Sequence, residues 1–250
     1  MLEPDNNGGH PRREARFAST QWSVVLRAGG ETDESRHALS QLIQTYWYPI
    51  YSFSRRSGNN HHDAMDLTQG FFSHLLNGSG LANVSPLHGR FRSFLIASFR
   101  NYKSNERRAS EAQRRGGAVQ HFSLNSPEAE LRFDNEPVEE GTPESIFERR
   151  WAESLLAWVL ERLAQEYREA DKSELFRLLE PHLTFSDDAI PRSDISSQLN
   201  LSVAAIAMSI HRMRRRYAEI LRDEVSATVA GPDDVDDEIR TLMSVVKATR

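Results

Sequence analysis

Cationic side chains are concentrated near the end of one short stretch of the chain, residues 193–221. Guanidinium groups bind phosphate oxygens and the hydrogen-bond acceptors of guanine, so this cluster predicts contact with a nucleic acid. Its members are His211, Arg212, Arg214, Arg215 and Arg216. The alternative is a solvated helix end, because cations late in a helix also interact favourably with its dipole.

The residues around this cluster predict a helix-turn-helix. Ile195, Leu199 and Leu201 suit a short helix followed by a tight turn, and Asn200 suits a left-handed corner. Ser202 then caps a second helix and is itself a candidate DNA contact. Apolar residues recur in that helix at spacings of three and four, which predicts one buried face. They are Val203, Ile206, Ile210, Met213, Tyr217 and Ile220. The opposite face would present the cations to duplex DNA.

A second basic stretch, residues 90–115, mixes cations with aromatic side chains. The spacing of Phe91, Phe94, Leu95 and Phe99 predicts the buried face of a helix. Cations can follow a phosphate backbone, and exposed aromatic rings can stack on bases that have left the duplex. We therefore expect this helix to bind an opened DNA strand. The candidate contacts are Arg92, Arg100, Asn101, Tyr102, Lys103, Arg107 and Arg108.

A predicted helix near residues 63–77 has the features of a protein-docking surface. Asp63, Asp66 and Gln69 share its polar side, and the spacing turns Phe72 away from its apolar side. A partly exposed aromatic ring beside carboxylates is typical of a protein interface.

Several classes of function are disfavoured. The absence of cysteine excludes disulfides, thiolate zinc sites and a cysteine nucleophile. His61, His62 and Asp63 are adjacent and cannot all converge on one ion, so we expect no metal. The chain contains neither a phosphate-binding glycine loop nor a nucleophile–base spacing, so we expect no cofactor and no enzymatic activity.

Composition and length indicate the setting of the protein. The 250 residues include 31 Lys and Arg against 36 Asp and Glu, a net charge of −5, so nucleic-acid binding would depend on local clusters. No apolar run approaches the roughly 20 residues that span a bilayer, and the first residues lack a signal-peptide core. We therefore expect no membrane contact and a cytoplasmic location.

We predict an all-α chain with two helical domains. Residues 123–141 are acidic and show no amphipathic period, which predicts a linker between them. The tail begins after Thr228, and Gly231 and Pro232 precede its short amphipathic helix. The predicted units are a disordered arm (1–16), an N-terminal bundle (17–122), the linker (123–141), a helix-turn-helix domain (142–228) and the tail (229–250).

Six separated motifs support a family resemblance. In order they are FASTQWSVVL, YWYPIYSFSRRSG, DLTQGFFSHLL, GRFRSFLIASFRNYKSNERR, FERRWAESLL and HRMRRRY. With them the chain resembles an RNA polymerase sigma factor of the sigma-70 family, of the extracytoplasmic-function (ECF) type. It is similar in particular to a group frequent in planctomycetes and acidobacteria. The resemblance covers nearly everything from Phe17 onward.

The resemblance implies that residues 17–122 are sigma domain 2-like and residues 142–228 sigma domain 4-like. The first would dock on core RNA polymerase through Asp63, Asp66, Gln69 and Phe72. It would also melt the minus-ten element and hold the opened non-template strand; the residues implied are Arg92, Arg100, Asn101, Tyr102 and Lys103. The second would read the duplex minus-thirty-five element of the promoter DNA. An anti-sigma factor is left open as a further partner.

One departure from the family concerns the start of the recognition helix. This chain has Ala204, Ala205 and Ala207 where the family usually has polar or basic side chains. Since alanine offers no hydrogen bond to a base edge, the upstream specificity would be weakened or altered.

Two other classes of function remain as alternatives. A stand-alone helix-turn-helix regulator would bind duplex DNA without polymerase, usually as a dimer that matches two half-sites. An enzyme acting on nucleic acid would need a metal or acid–base site, which the sequence does not supply. The tail helix from Asp236 is predicted to be autoregulatory, because Gly231 and Pro232 separate it from the body.

Overall fold

The computed structural model describes residues 32–77, 90–112, 126–136, 141–183, 189–229 and 231–247. These residues are helical with short connections, and their only strand-like pairing is a single bridge between Arg90 and Val229. The all-α prediction is confirmed. The predicted arm and the first residues of the predicted N-terminal bundle, 17–31, lie outside the described residues.

Nine α-helices follow one another in the described residues. They are α1 (Asp33–Arg56), α2 (His61–Leu76), α3 (Phe91–Ala112), α4 (Ser126–Asp134), α5 (Pro143–Glu169), α6 (Ser173–Leu179), α7 (Arg192–Leu199), α8 (Val203–Ser226) and α9 (Val235–Lys247). A 3-10 turn, Glu180–His182, follows α6, and another, Pro232–Asp234, precedes α9.

Side-chain caps define the starts of three helices. Asn60 accepts a hydrogen bond from the Asp63 N–H at the start of α2. The Thr142 side chain does the same for the Ser145 N–H of α5, and Pro143 is the first residue of that helix, as the sequence predicts. The third cap, at the start of α8, is Ser202. These caps satisfy backbone N–H groups that have no partner within the helix.

The long helix α5 is the centre of the packing. It lies against α1 over a large surface and also contacts α8 and α9. The predicted set on α5 is buried, with each side chain at most 2% exposed: Phe147, Trp151, Leu155, Val159 and Leu163. The core that they form is continuous from α1 to α9. The two-domain division stays a prediction, and within the described residues the two parts share this core.

The predicted linker contains a helix, α4, which the sequence pattern did not indicate. Ala129 is buried, and the Arg132 guanidinium lies 3.7 Å from the centroid of the Tyr48 ring. Just beyond the helix, Glu136 accepts a hydrogen bond from the Tyr48 hydroxyl and forms an ion pair with Arg150 at 2.8 Å. A helix of nine residues that is held mainly by polar contacts leaves little amphipathic period in its sequence.

Candidate nucleic-acid interface

Helices α7 and α8 form the predicted helix-turn-helix corner. Asn200 is left-handed, with φ 51° and ψ 42°, and its N–H bonds to the Ser196 carbonyl. Ser202 accepts a hydrogen bond from the Ala205 N–H at 3.1 Å and so caps α8. Ile195 of α7 is fully buried. The corner and the cap are confirmed.

The buried face of α8 follows the predicted period except at its first residue. Ile206, Ile210, Met213 and Ile220 are at most 2% exposed, and Tyr217 is half-buried. Val203, however, is 49% exposed, so its assignment to the core was wrong. The apolar spacing of α8 includes Val203, but the rest of the protein covers this face of the helix only from Ile206 onward.

Two arginines of α8, Arg212 and Arg215, are exposed on neighbouring turns beside the exposed His211. His211 and Arg215 are four residues apart and share one face, and Arg212 lies beside them. Arg212 donates to the Ser209 hydroxyl at 3.2 Å, and Arg215 pairs with Glu219 at 3.0 Å. An exposed pair of this kind contributes little to stability and can be exchanged for a phosphate.

The other two arginines of the cluster have partners on other elements. Arg214 donates to the His182 carbonyl through Nε at 3.2 Å and Nη2 at 2.6 Å, which ties α8 to the 3-10 turn after α6. Arg216 donates to both oxygens of Glu166 on α5, at 2.6 and 2.8 Å. This hydrogen bonding raises the pKa of Arg216 and lowers the pKa of Glu166. The five predicted cations therefore do not form one free surface, and Arg214 is a structural tie.

Helix α3 buries its apolar residues as predicted. Phe91, Leu95 and Phe99 are fully buried, and Phe94 is 8% exposed. Phe99 packs edge-on against Phe71 of α2 and Phe53 of α1. None of the three phenylalanine rings of α3 is therefore exposed enough to stack on a base.

Arg92 is buried as well, which contradicts its predicted place on a DNA-binding surface. It is 6% exposed, and its guanidinium lies 4.8 Å from the Trp151 ring centroid. It donates to both oxygens of Glu238 on α9, at 2.6 and 3.1 Å, and pairs with Glu148 on α5. The reason for the difference is that α5 and α9 both cover this side of α3.

The charges around Arg92 are mutually compensating. Burial by itself lowers the pKa of Arg92, but hydrogen bonds to Glu238 and the charges of Glu148 and Glu238 outweigh burial and raise this pKa. Glu238 is 1% exposed and also lies 3.2 Å from Arg90. Two arginines and two carboxylates thus join α3, α5 and α9.

The outer part of α3 is more open. Arg100 pairs with Glu144 at the start of α5, with about half of its side chain exposed, and Asn101, Arg107 and Arg108 are exposed. Hydrogen bonding to its own backbone N–H lowers the pKa of Glu144, desolvation opposes this, and Arg100 lowers it further. Partial burial, followed by the charge of Arg107, lowers the pKa of Lys103.

Tyr102 packs against α2. Its ring centroid lies 5.8 Å from that of Phe71 and 5.6 Å from that of His74. Burial, and then the charge and hydrogen bond of Glu106, raise the pKa of Tyr102 to about 12. A Cβ on Gly70 would lie 2.5 Å from the Tyr102 hydroxyl, so this helical glycine makes room for the ring. Because glycine inside a helix is unfavourable, its presence at position 70 is a sequence signal that another side chain packs closely there.

The predicted docking residues of α2 do not share one environment. Asp63 and Asp66 are exposed and Gln69 is partly exposed; Asp66 lies 3.5 Å from His62. Phe72 is 3% exposed and packs 5.2 Å from Phe71, so its prediction as a partly exposed ring was wrong. Since α1 and α3 both contact α2, its buried sector is wider than a single apolar stripe.

Sequence reasoning missed the glutamates that hold the predicted DNA contacts. On α5, Glu144 pairs with Arg100, Glu148 with Arg92 and Glu166 with Arg216. Glu144 and Glu148 are four residues apart, so they share a helix face. This spacing was the sequence signal that α5 presents two carboxylates to a neighbouring helix. The identity of the helices facing them was not readable from the sequence.

Comparison of the chain with protein-family models, with curated proteins and with solved structures gives no match. Across the described ranges, no group of three or more His, Cys, Asp or Glu residues is arranged to hold a metal ion. Within the same part of the chain, no helix is long and apolar enough to cross a bilayer.

Proposed function

We propose that this chain is a sigma factor of the ECF type, which binds core RNA polymerase and directs promoter recognition, DNA melting and transcription initiation. The observation that carries the proposal is the helix-turn-helix of α7 and α8, with its left-handed Asn200 corner and capped second helix. In such a unit the second helix enters the major groove through its first turns. The exposed cations His211, Arg212 and Arg215 follow those turns and can reach phosphates.

The outer part of α3 supports the second half of the proposal. Arg100, Asn101, Arg107 and Arg108 give this helix a cationic outer edge along which an opened non-template strand can lie. Binding requires the Arg100–Glu144 pair to open, and a DNA phosphate takes the place of the Glu144 carboxylate. This exchange is inexpensive because both side chains are close to half exposed.

The polymerase contact is assigned to the polar surface of α2. Asp63, Asp66 and Gln69 reach this surface, whereas Phe72 stabilises the helix from inside. The chain itself performs no catalysis in this proposal, and RNA synthesis belongs to the polymerase. As a factor acting on the bacterial genome, it works in the cytoplasm.

Transcription with purified components tests the proposal. Bacterial core polymerase is incubated with a library of genomic fragments, with and without this chain, and the RNA starts are sequenced. We expect new starts that share an upstream motif. An Asp63→Ala/Asp66→Ala variant should still fold but lose both co-purification with polymerase and the new starts. Its unfolding temperature should fall only slightly, because the Asp63 carboxylate accepts a hydrogen bond from the Asn60 side chain at the start of α2. No new starts and no co-purification of the wild-type chain would contradict the proposal.

A stand-alone helix-turn-helix regulator is the second candidate. The observation that favours it is the difference between the two basic helices, because α8 presents exposed cations while Arg92 of α3 is enclosed. This function requires duplex binding without polymerase, usually by a dimer. Light scattering of the free chain and its complex with duplex DNA tests it. A dimer that binds an inverted repeat without polymerase would select this function.

A further inference from the structure

Apolar side chains are exposed where α8 begins. Leu201, Val203 and Met208 are 43%, 49% and 55% exposed, and Ala204 is exposed as well. Leu201, Val203 and Met208 are three of the six large apolar residues that are exposed in the described part of the chain. The exposed apolar surface is therefore concentrated at one end of one helix.

Cations continue the same face of α8. Ala204 and Met208 are four residues apart, and His211 and Arg215 follow at the next helical spacings, so the four side chains form one row. Arg212 lies beside this row and is also exposed. The first turns of the row thus offer methyl and thioether groups, and the next two turns offer positive charge.

This order of apolar groups and charge favours duplex DNA as the occupant. An apolar protein surface would cover the first turns well but would desolvate the cations without a partner. The major groove suits both halves, because phosphates line its edge and the C5-methyl groups of thymine lie on its floor.

We propose that the start of α8 recognises thymine, with Ala204 and Met208 contacting thymine C5-methyl groups in the major groove. Arg212 and Arg215 neutralise the adjoining phosphates, His211 can donate a hydrogen bond to one of them, and these contacts set the register of the helix. Neither Ala204 nor Met208 has a hydrogen-bond donor for the O6 and N7 atoms of guanine, whereas thymine is the one base with a methyl group there. The inference rests on the part of the proposed function that places α8 in a major groove, and it applies with or without polymerase.

Uracil substitution isolates the methyl contact. The full chain, alone and with core polymerase, first selects duplexes from a random-sequence library. In the selected duplex each thymine is then replaced by uracil, which removes the methyl and keeps the hydrogen-bonding groups. We expect each contacted position to lose about fourfold in affinity, the effect of one buried methyl group. Thymines outside the contacted positions should tolerate the change.

A pair of methionine variants assigns the contact to α8. Met208→Gln keeps the length of the side chain and should abolish the sensitivity to uracil at one position. Met243→Gln is the matched control, because Met243 is 43% exposed on a different helix, α9, and the binding of this variant should equal that of the wild type. Circular dichroism should give the same thermal unfolding for both variants, since both side chains are exposed.

The outcomes separate this inference from the proposed function. Equal affinity for thymine and uracil duplexes, with duplex binding and transcription intact, overturns thymine recognition and leaves the sigma-factor proposal standing. Loss of polymerase binding by Met208→Gln with unchanged duplex affinity overturns it in favour of protein docking. Absence of both duplex binding and transcription by the wild-type chain overturns both proposals.

Discussion

The two basic helices, α3 and α8, both combine arginines with a buried apolar face, but they differ in which side chains are exposed. In α3, Arg92 is 6% exposed and held by carboxylates of α5 and α9, whereas in α8 the apolar Met208 is 55% exposed. A cationic side chain is thus buried on one helix, and an apolar side chain is exposed on the other. Residue type alone is therefore a poor guide to which side chains are available for DNA.

Helix α5 explains most of this difference. It packs on α1, supplies Glu144 and Glu148 to the cations of α3 from its N-terminal turns, and supplies Glu166 to Arg216 from its C-terminal end. Removing one partner from a buried ion pair typically costs about 3–5 kcal/mol, whereas an exposed pair is worth about 0–1 kcal/mol. The α3 contact at Arg92 is therefore structural, whereas the exposed ion pairs contribute little to stability.

The largest expected effect comes from truncating matched apolar residues of the two helices. Phe99→Ala should lower the free energy of unfolding by about 3–5 kcal/mol, because the ring is fully buried. Met208→Ala should change it by no more than about 0.5 kcal/mol, because most of its side chain is in solvent. Urea denaturation of the two variants measures the contrast. Equal losses of unfolding free energy in the two variants would contradict the burial of Phe99 and the exposure of Met208.

Removing the buried cation should have the next largest effect. Arg92→Met leaves Glu238 with Arg90 alone and should lower the free energy of unfolding by about 3 kcal/mol. Arg215→Met, on the exposed face of α8, should cost less than about 1 kcal/mol. Chemical denaturation at neutral pH compares them.

A double variant distinguishes loss of charge pairing from loss of packing. In Arg92→Met/Glu238→Leu both buried charges are replaced by apolar groups, so the stability should recover part of the loss. A double variant that is less stable than Arg92→Met alone would mean that the buried charges are not coupled.

Exposed cations of the two helices should affect different steps of initiation. Arg212→Ala/Arg215→Ala should weaken duplex binding for all sequences and reduce its salt dependence by about one unit of slope for each phosphate that is no longer neutralised. Arg100→Ala/Lys103→Ala should abolish open-complex formation with polymerase binding retained. Filter binding across salt concentrations and permanganate footprinting measure the two effects. Loss of polymerase binding in the α3 variant would contradict the assignment.

The smallest effect concerns Tyr102 and alkaline pH. Its folded-state pKa of about 12 lies above the ordinary value of 10.0, so folding favours the neutral phenol. The wild type should therefore lose stability relative to Tyr102→Phe as the pH rises from 10 to 12, by about 1 kcal/mol after allowance for solvent screening. Denaturation of both proteins at each pH measures this difference. If the difference in stability between the two proteins stayed the same from pH 10 to 12, the Tyr102 ring would have to be exposed.

Local sequence was sufficient for most of the described helices and for several of their ends. The Thr142 and Ser202 caps and the left-handed Asn200 depend on side chains within a few residues of each position, so short-range rules predicted them. The apolar period likewise predicted the buried faces of α3 and α5, because each face has a spacing that only a helix brings together. Helix α4 was missed because its short sequence carries almost no period.

Tertiary structure alone decided which polar and borderline residues are available. Phe72 and Arg92 are buried because helices distant in sequence cover them, and Val203 is exposed because the covering surface begins only at Ile206. Arg214 is bound to a carbonyl oxygen 32 residues away. Helix formation depends on neighbours along the chain, whereas burial and ion pairing depend on which other helices pack alongside. The sequence therefore determined most of the described helices and the corner of the helix-turn-helix, and the packing around α5 determined which cations are exposed.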